Sequence, residues 1–178
     1  MNKGDQYMDF FEVVKVRQSI RAYCDQAVEP EKLQAMLDTI NRAPSAGNLQ
    51  GYEVYCVTQR RCLTDLARAA NQDFIAQVSL ALVFCAHPAR SAQKYNQRGV
   101  ALYCLQDATI ACAYAQLAAT ALGLATVWVG AFNDDAVRRA IGVGKDLLPI
   151  AILPIGYAAE KPDVRTRRSI DDLVHRIA

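Results

Sequence analysis

Apolar residues along the chain follow two periods. Leu33, Met36, Leu37, Ile40 and Ala43 recur at spacings of three and four, the stripe of an amphipathic helix. Pro30 suits the first position of that helix, where a missing N–H leaves nothing unsatisfied, and Pro44 stops it. An earlier helix is predicted over 8–16, with Asp9 placed to accept hydrogen bonds from its first free amides, and 1–7 reads as a loose tail. Alternation over 52–58 predicts a strand. The run 78–86 is apolar without interruption, as expected of a central strand buried on both faces. Between them, 61–71 reads as a helix with Leu63, Leu66, Ala67 and Ala70 inward. The polar stretch 87–97, which contains Pro88, reads as a long loop or a broken helix. A long helix follows over 100–122, closed by Gly123 at the position of a left-handed cap. Then come a strand over 125–131, a helix over 134–141 behind an Asn133 cap, and a strand over 149–157.

This order, with a basic arm at its end, predicts an α+β fold: a small central sheet with helices on both faces. Neither a repeat nor a linker divides the chain, so 1–178 is expected to form one domain, with 158–178 as a C-terminal arm.

Composition narrows the class. A chain of 178 residues, 52% apolar and 21% charged, can build a core without disulfide or metal staples, and disorder is excluded. The low charge and a mean hydropathy of +0.02 favour a buried subunit interface. Twenty Lys and Arg against eighteen Asp and Glu leave a net charge of +2. No basic run extends beyond Arg165, Arg167 and Arg168, so nucleic acid is not an expected partner. Residues 108–133 carry no charge and are numerous enough to span a bilayer. Their Ala and Thr content, Gln116 and the break at Gly123 fit a buried helix and strand instead, and no membrane is expected. The six cysteines include no CxxC and no Cys/His pair at metal spacing. Cys56, Cys85, Cys104 and Cys112 lie in apolar segments, where a reduced thiol packs as a small hydrophobe. With a polar, charged start in place of a secretory leader, the expected setting is the reducing cytoplasm.

Candidate chemistry is sparse. The chain has no Gly-x-Ser-x-Gly, no phosphate-binding Gly-rich loop ending in Lys and no His-Glu-x-x-His. With His87 and His175 its only histidines, a nucleophile–base triad is not expected, and the hard chemistry of an enzyme here would fall to a cofactor. Three polar clusters remain. In an extended segment Arg17, Ser19 and Arg21 share a face, which suits either a solvated edge or a phosphorylated ligand onto which arginine can fork. Residues 43–50 form a small, polar loop whose amides and hydroxyl match the edge of a heterocycle, or simply join a helix to a strand. Arg165, Arg167 and Arg168 sit on an irregular arm beyond Pro162 that is able to return to another site, or form a solvated turn.

Their order and wording are more specific than any one of them. Phe10-Phe11-Glu12-Val13-Val14 with Arg17-Gln18-Ser19-Ile20-Arg21, then Ala43-Pro44-Ser45-Ala46-Gly47-Asn48-Leu49-Gln50, then Gly123-Leu124 through Gly130-Ala131-Phe132, then Pro154-Ile155-Gly156-Tyr157 with Glu160-Lys161-Pro162 and Arg167-Arg168, resembles the nitroreductase family of FMN-dependent oxidoreductases. The resemblance covers residues 8–175. It implies a mostly antiparallel or mixed sheet and an intertwined homodimer that shares two FMN sites. Arg17, Ser19 and Arg167 would hold the FMN phosphate, helped by Arg165 and Arg168. Gln18 stands where many relatives carry a second basic residue. Arg21 would lie near the pyrimidine edge, where a fixed cation stabilises the charge of reduction. Pro44, Ser45 and Asn48 of the partner subunit would flank the ring, Gln50 and Asn71 would hydrogen-bond it, and Val129 and Gly130 would offer it backbone. Gln50-Gly51-Tyr52 replaces the more frequent Gln-Pro-Trp, which implies a looser corner.

The implied activity is a ping-pong oxidoreduction, with NADH or NADPH as donor and a small oxidised acceptor such as a nitroaromatic, a quinone or another flavin. Tyr95, Arg98 and Tyr103, in a segment that covers the flavin in relatives, are the candidates for substrate contact. The alternatives are a reductive dehalogenase-like relative and a flavin-binding module without turnover.

Overall fold

The computed structural model describes residues 8–162 and 165–177; the tail expected over 1–7 lies outside them. In chain order the elements are α1 (Phe10–Val16), α2 (Pro30–Asn41), β1 (Tyr52–Val57), α3 (Arg60–Ala70), β2 (Leu80–Ala86), α4 (Pro88–Arg98), α5 (Cys104–Ala121), β3 (Ala125–Thr126), α6 (Asp134–Ile141), β4 (Leu148–Gly156) and α7 (Ile170–Leu173). The strands form one antiparallel sheet in the order β1-β2-β4-β3.

Every residue of β2 is buried, as its unbroken apolar run requires. Alternation then divides the core in two. Leu80, Leu82, Phe84 and Ala86 face α2 and α5, with Ala151, Leu153 and Ile155 of β4. Ala81, Val83 and Cys85 face α3 and α6, with Ile152. The α5 surface against the sheet is a stripe of small residues, Cys104, Ala108, Ala111, Cys112, Ala115 and Ala119, all fully buried. Their size lets the helix backbone approach β2 and β4 closely. The uncharged stretch read as a buried helix is therefore this one, and no helix among the described residues is long and apolar enough to cross a membrane.

The caps follow the local sequence. Asp9 accepts from the Phe11 amide at 3.0 Å, Pro30 opens α2, and Asn133 accepts from the Ala136 amide at 2.9 Å. Gly123 and Gly142 take the left-handed conformation, with φ of 74° and 72°.

Two expectations are corrected, and of the two readings of 87–97 the broken helix holds: these residues form α4, which starts at Pro88 as its first residue. Its polarity is that of a surface helix, and the break lies at Asn96, with φ 46° and ψ −133°, just before a wide turn over Gly99–Tyr103. The strand expected over 125–131 pairs only at Ala125–Thr126 and again at Val129, which exchanges two hydrogen bonds with Ile152. In that register Val127 faces Pro154, which has no N–H to donate, so the ladder is interrupted between them. Cys56, expected to pack, is exposed on edge strand β1 and belongs to neither apolar cluster.

The chain after α1 runs along the sheet edge. Ser19 bridges Thr126 in parallel, and Tyr23 bridges Ala158 antiparallel. The Ile20 amide donates to Thr126 O at 3.1 Å, and the Ala159 amide donates to Ala22 O at 2.9 Å.

Ala111→Leu should therefore overpack the α5–sheet contact and lower unfolding free energy by about 1–3 kcal/mol, read from the urea midpoint. Burial pushes the Cys85 thiol up to about 12 and raises Cys112 as well. A thiol reagent at neutral pH should label exposed Cys24 in the native protein, and Cys85 and Cys112 only after unfolding.

Candidate functional site

The edge segment and the C-terminal arm enclose a cavity of about 770 Å³. Lys15, Arg17, Gln18, Ser19 and Arg21 line it from one side, and Glu160, Lys161, Arg165 and Arg167 from the other. The alternation expected for Arg17, Ser19 and Arg21 arises because this stretch is extended along the edge. Six cationic side chains face one carboxylate. That carboxylate, Glu160, accepts a hydrogen bond from the Arg21 amide and so fastens the arm to the edge. Behind them Tyr23 donates to Ile20 O at 2.7 Å, and burial holds its hydroxyl far above the ordinary phenol range. The Gln18 Oε1 atom is buried without a hydrogen-bond partner among the described residues. A buried acceptor left open beside a cationic cavity is costly unless a ligand supplies a donor.

Arg168, grouped with the arm arginines in the sequence, does not line this cavity. It lies 3.5 Å from Asp172 on α7.

The loop 44–50 stands apart from the cleft. The Ser45 hydroxyl accepts from the Gln50 amide at 2.9 Å, and the Gln50 side chain donates to Asn41 at 3.2 Å. Gly47, Asn48 and Gln50 all have positive φ, at 58°, 57° and 49°. Asp107 pins the loop from α5: its carboxylate accepts from the Ala46 amide at 2.9 Å and the Gly51 amide at 3.1 Å. Gly51 also lies against buried Ser91, so close that a Cβ there would sit 2.0 Å from the Ser91 hydroxyl. The corner expected to be looser is thus held on both sides, and a proline at 51 would forfeit the bond to Asp107.

The predicted substrate-contact residues adjoin this loop. Tyr95 and Tyr103 meet edge to face at 4.9 Å, and Arg98 Nε donates to the Tyr103 hydroxyl at 2.9 Å. A Cβ on Gly47 would approach the Tyr95 hydroxyl to 2.6 Å. Pro44 and Ser45 share a shallow depression with Tyr103 and Ile110, whereas Asn48 lies beside His87 and Arg90. Arg90 Nε donates to Leu49 O at 2.8 Å.

Asn71 and Gly130 line neither the cleft nor the depressions beside the 44–50 loop. Asn71 caps α3 in the left-handed conformation, φ 51°, and the Asn133 amide donates to Ala69 O at 2.9 Å, which joins the two loops. Val129 engages both of its backbone groups with Ile152, so the backbone exposed at this strand end is that of Gly130.

Sequence reasoning left Asp107, Lys15 and Glu160 without a role. For Asp107 a signal exists: it is the only charged residue between 100 and 133, and an acid on an otherwise uncharged helix needs partners wherever it is buried. Among the described residues no cluster of His, Cys, Asp or Glu is arranged to hold a metal ion.

Known proteins share this fold. A nitroreductase family protein of Clostridium difficile 630 is 34% identical and superposes with a TM-score of 0.84, over 94% of this chain and 98% of that one. An FMN-dependent nitroreductase from Clostridium difficile R20291 is 27% identical, with a TM-score of 0.77 over 93% and 98% of the two chains. The FMN reductase [NAD(P)H] of Bacillus subtilis is 28% identical over 179 residues, which span 89% of this chain and 69% of that protein. The model of the nitroreductase family matches residues 14–157. The chain therefore belongs to the nitroreductase family.

Proposed function

We propose that the cationic cleft holds FMN and that the chain is an NAD(P)H-dependent FMN oxidoreductase working as a homodimer. The observation that carries this reading is the cleft itself, in which Arg17, Ser19, Arg21, Arg165 and Arg167 converge from opposite ends of the chain. The residues fit the cofactor: six cations suit a phosphate dianion, and the open Gln18 Oε1 suits a hydroxyl of its polyol chain.

Arg17 and Arg167 would hold the phosphate by charge-assisted hydrogen bonds, with Ser19 as a neutral donor and Arg165 as a further cation. Arg21, whose backbone amide is held by Glu160, would bring a cation to the pyrimidine side of the ring. When bound, FMN supplies the two-electron chemistry, accepting hydride from NADH or NADPH and passing it in ping-pong order to an acceptor such as a nitroaromatic, a quinone or another flavin. The chain's part is to hold the ring, leave room above it and order the acceptor, with Tyr95, Arg98 and Tyr103 as the adjoining wall.

The separation of the loop 44–50 from the cleft supports a shared site. In the dimer, Pro44, Ser45, Asn48 and Gln50 of one subunit complete the site of the other, while Asn71 and Gly130 approach the ring from the cleft's own subunit. Phe10, Phe11 and Val14 on α1, and Ile170, Leu173 and Val174 at α7, are exposed apolar residues that a second copy would cover.

Arg17→Ala should weaken FMN retention by about 1.5–3 kcal/mol, or roughly ten- to a hundredfold, with little change in the melting of the apoprotein. Equal loss of both rejects the phosphate role. Anaerobic titration of the FMN-loaded protein with NADH and then NADPH should bleach the flavin absorbance. A yellow protein that neither donor bleaches is a binding module without turnover.

A further inference from the structure

Asp107 lies on α5 and is 2% exposed. Among the described residues its carboxylate accepts hydrogen bonds from two backbone amides, Ala46 at 2.9 Å and Gly51 at 3.1 Å. A carboxylate removed from water needs donors to offset its desolvation, and here both come from the two ends of one loop. Between those ends Gly47, Asn48 and Gln50 are left-handed, a conformation that Gly and Asn tolerate and Gln rarely adopts. On its far side Gly51 is packed against Ser91, whose buried hydroxyl has no hydrogen-bond partner among the described residues. The carboxylate, the loop and α4 therefore meet at one glycine. Asp107 lines the depression beside Pro44 and Ser45 and is not among the residues that line the cleft.

We infer that Asp107 is a positioning residue of the flavin site: by tying both ends of the loop, it fixes the backbone turn that presents Ser45, Asn48 and Gln50 to the cofactor of the other subunit. The inference rests on the shared FMN site proposed above. With Asn at 107, one acceptor becomes an NH2 that opposes a backbone N–H. One end of the loop is then released, and the left-handed residues relax. FMN binding weakens although no side chain at the cofactor has changed.

Hydrogen exchange on the apoprotein reads the loop without flavin. In Asp107→Asn, the amides of Ala46 and Gly51 should exchange at least tenfold faster, while those of Leu80–Ala86 keep their protection. Unchanged exchange at Ala46 and Gly51 overturns the inference whether or not FMN binds, which separates its failure from that of the proposed function. Loss of protection throughout Leu80–Ala86 assigns Asp107 to general stability and overturns it equally. In the FMN titration, the dissociation constant of Asp107→Asn should rise about tenfold or more. A heterodimer of Arg17→Ala and Asp107→Asn chains should then keep one site of parental affinity, because both lesions fall on the same site. Two weakened sites overturn the role across the interface. Should Asp107→Asn fail to fold, Asp107→Ser is measured in the same ways.

Discussion

Backbone pairing at one edge of the sheet decides where the cations of this chain stand. Ser19 with Thr126, and Tyr23 with Ala158, hold the segment after α1 against β3 and the root of the C-terminal arm. The Cys24 amide adds a bond to Tyr157 O at 2.9 Å. Because the strand period is two, that segment sends Arg17, Ser19 and Arg21 to one side, where Lys161, Arg165 and Arg167 face them. Six like charges around one cavity repel one another, and the pairing that gathers them is made by backbone groups indifferent to their charge. An empty cleft therefore stores repulsion that a dianion relieves, and local cationic potential draws such a ligand in.

The two faces of β2 set the remaining geometry. With both faces covered, helices crowd the sheet, and the small stripe of α5 is what brings Asp107 to the level of the 46–51 loop. The same closeness leaves no room for a side chain at residue 51. Loop, α4 and α5 act as one block beside Tyr95 and Tyr103, while the cleft belongs to the opposite chain ends. The shared site proposed above requires this division between loop and cleft.

Much of this was readable in the chain. The 3–4 spacing of Leu33 to Ala43, the uninterrupted run through β2 and the caps at Asp9, Asn133 and Gly123 each specify their element through local physics alone. Arg17, Ser19 and Arg21 were legible as a face because alternation needs only an extended backbone. Helix α4 was not, since a polar surface helix carries a weak apolar period, and Pro88 serves equally as a breaker or as a first residue. The gap in the β3–β4 ladder was hidden for another reason: Pro154 matters only once Val127 is known to stand opposite it.

The sequence by itself determined the class of fold, the core faces and the chemical type of the ligand, because periodicity and side-chain chemistry act over a few residues. The tertiary structure alone decided that Arg168 turns away to Asp172, that Val129 has its backbone engaged with Ile152, and that Asp107 binds two amides some sixty residues away in sequence. Those outcomes depend on which distant groups meet, and hydrogen bonds and ion pairs act only at contact, so no local pattern encodes them.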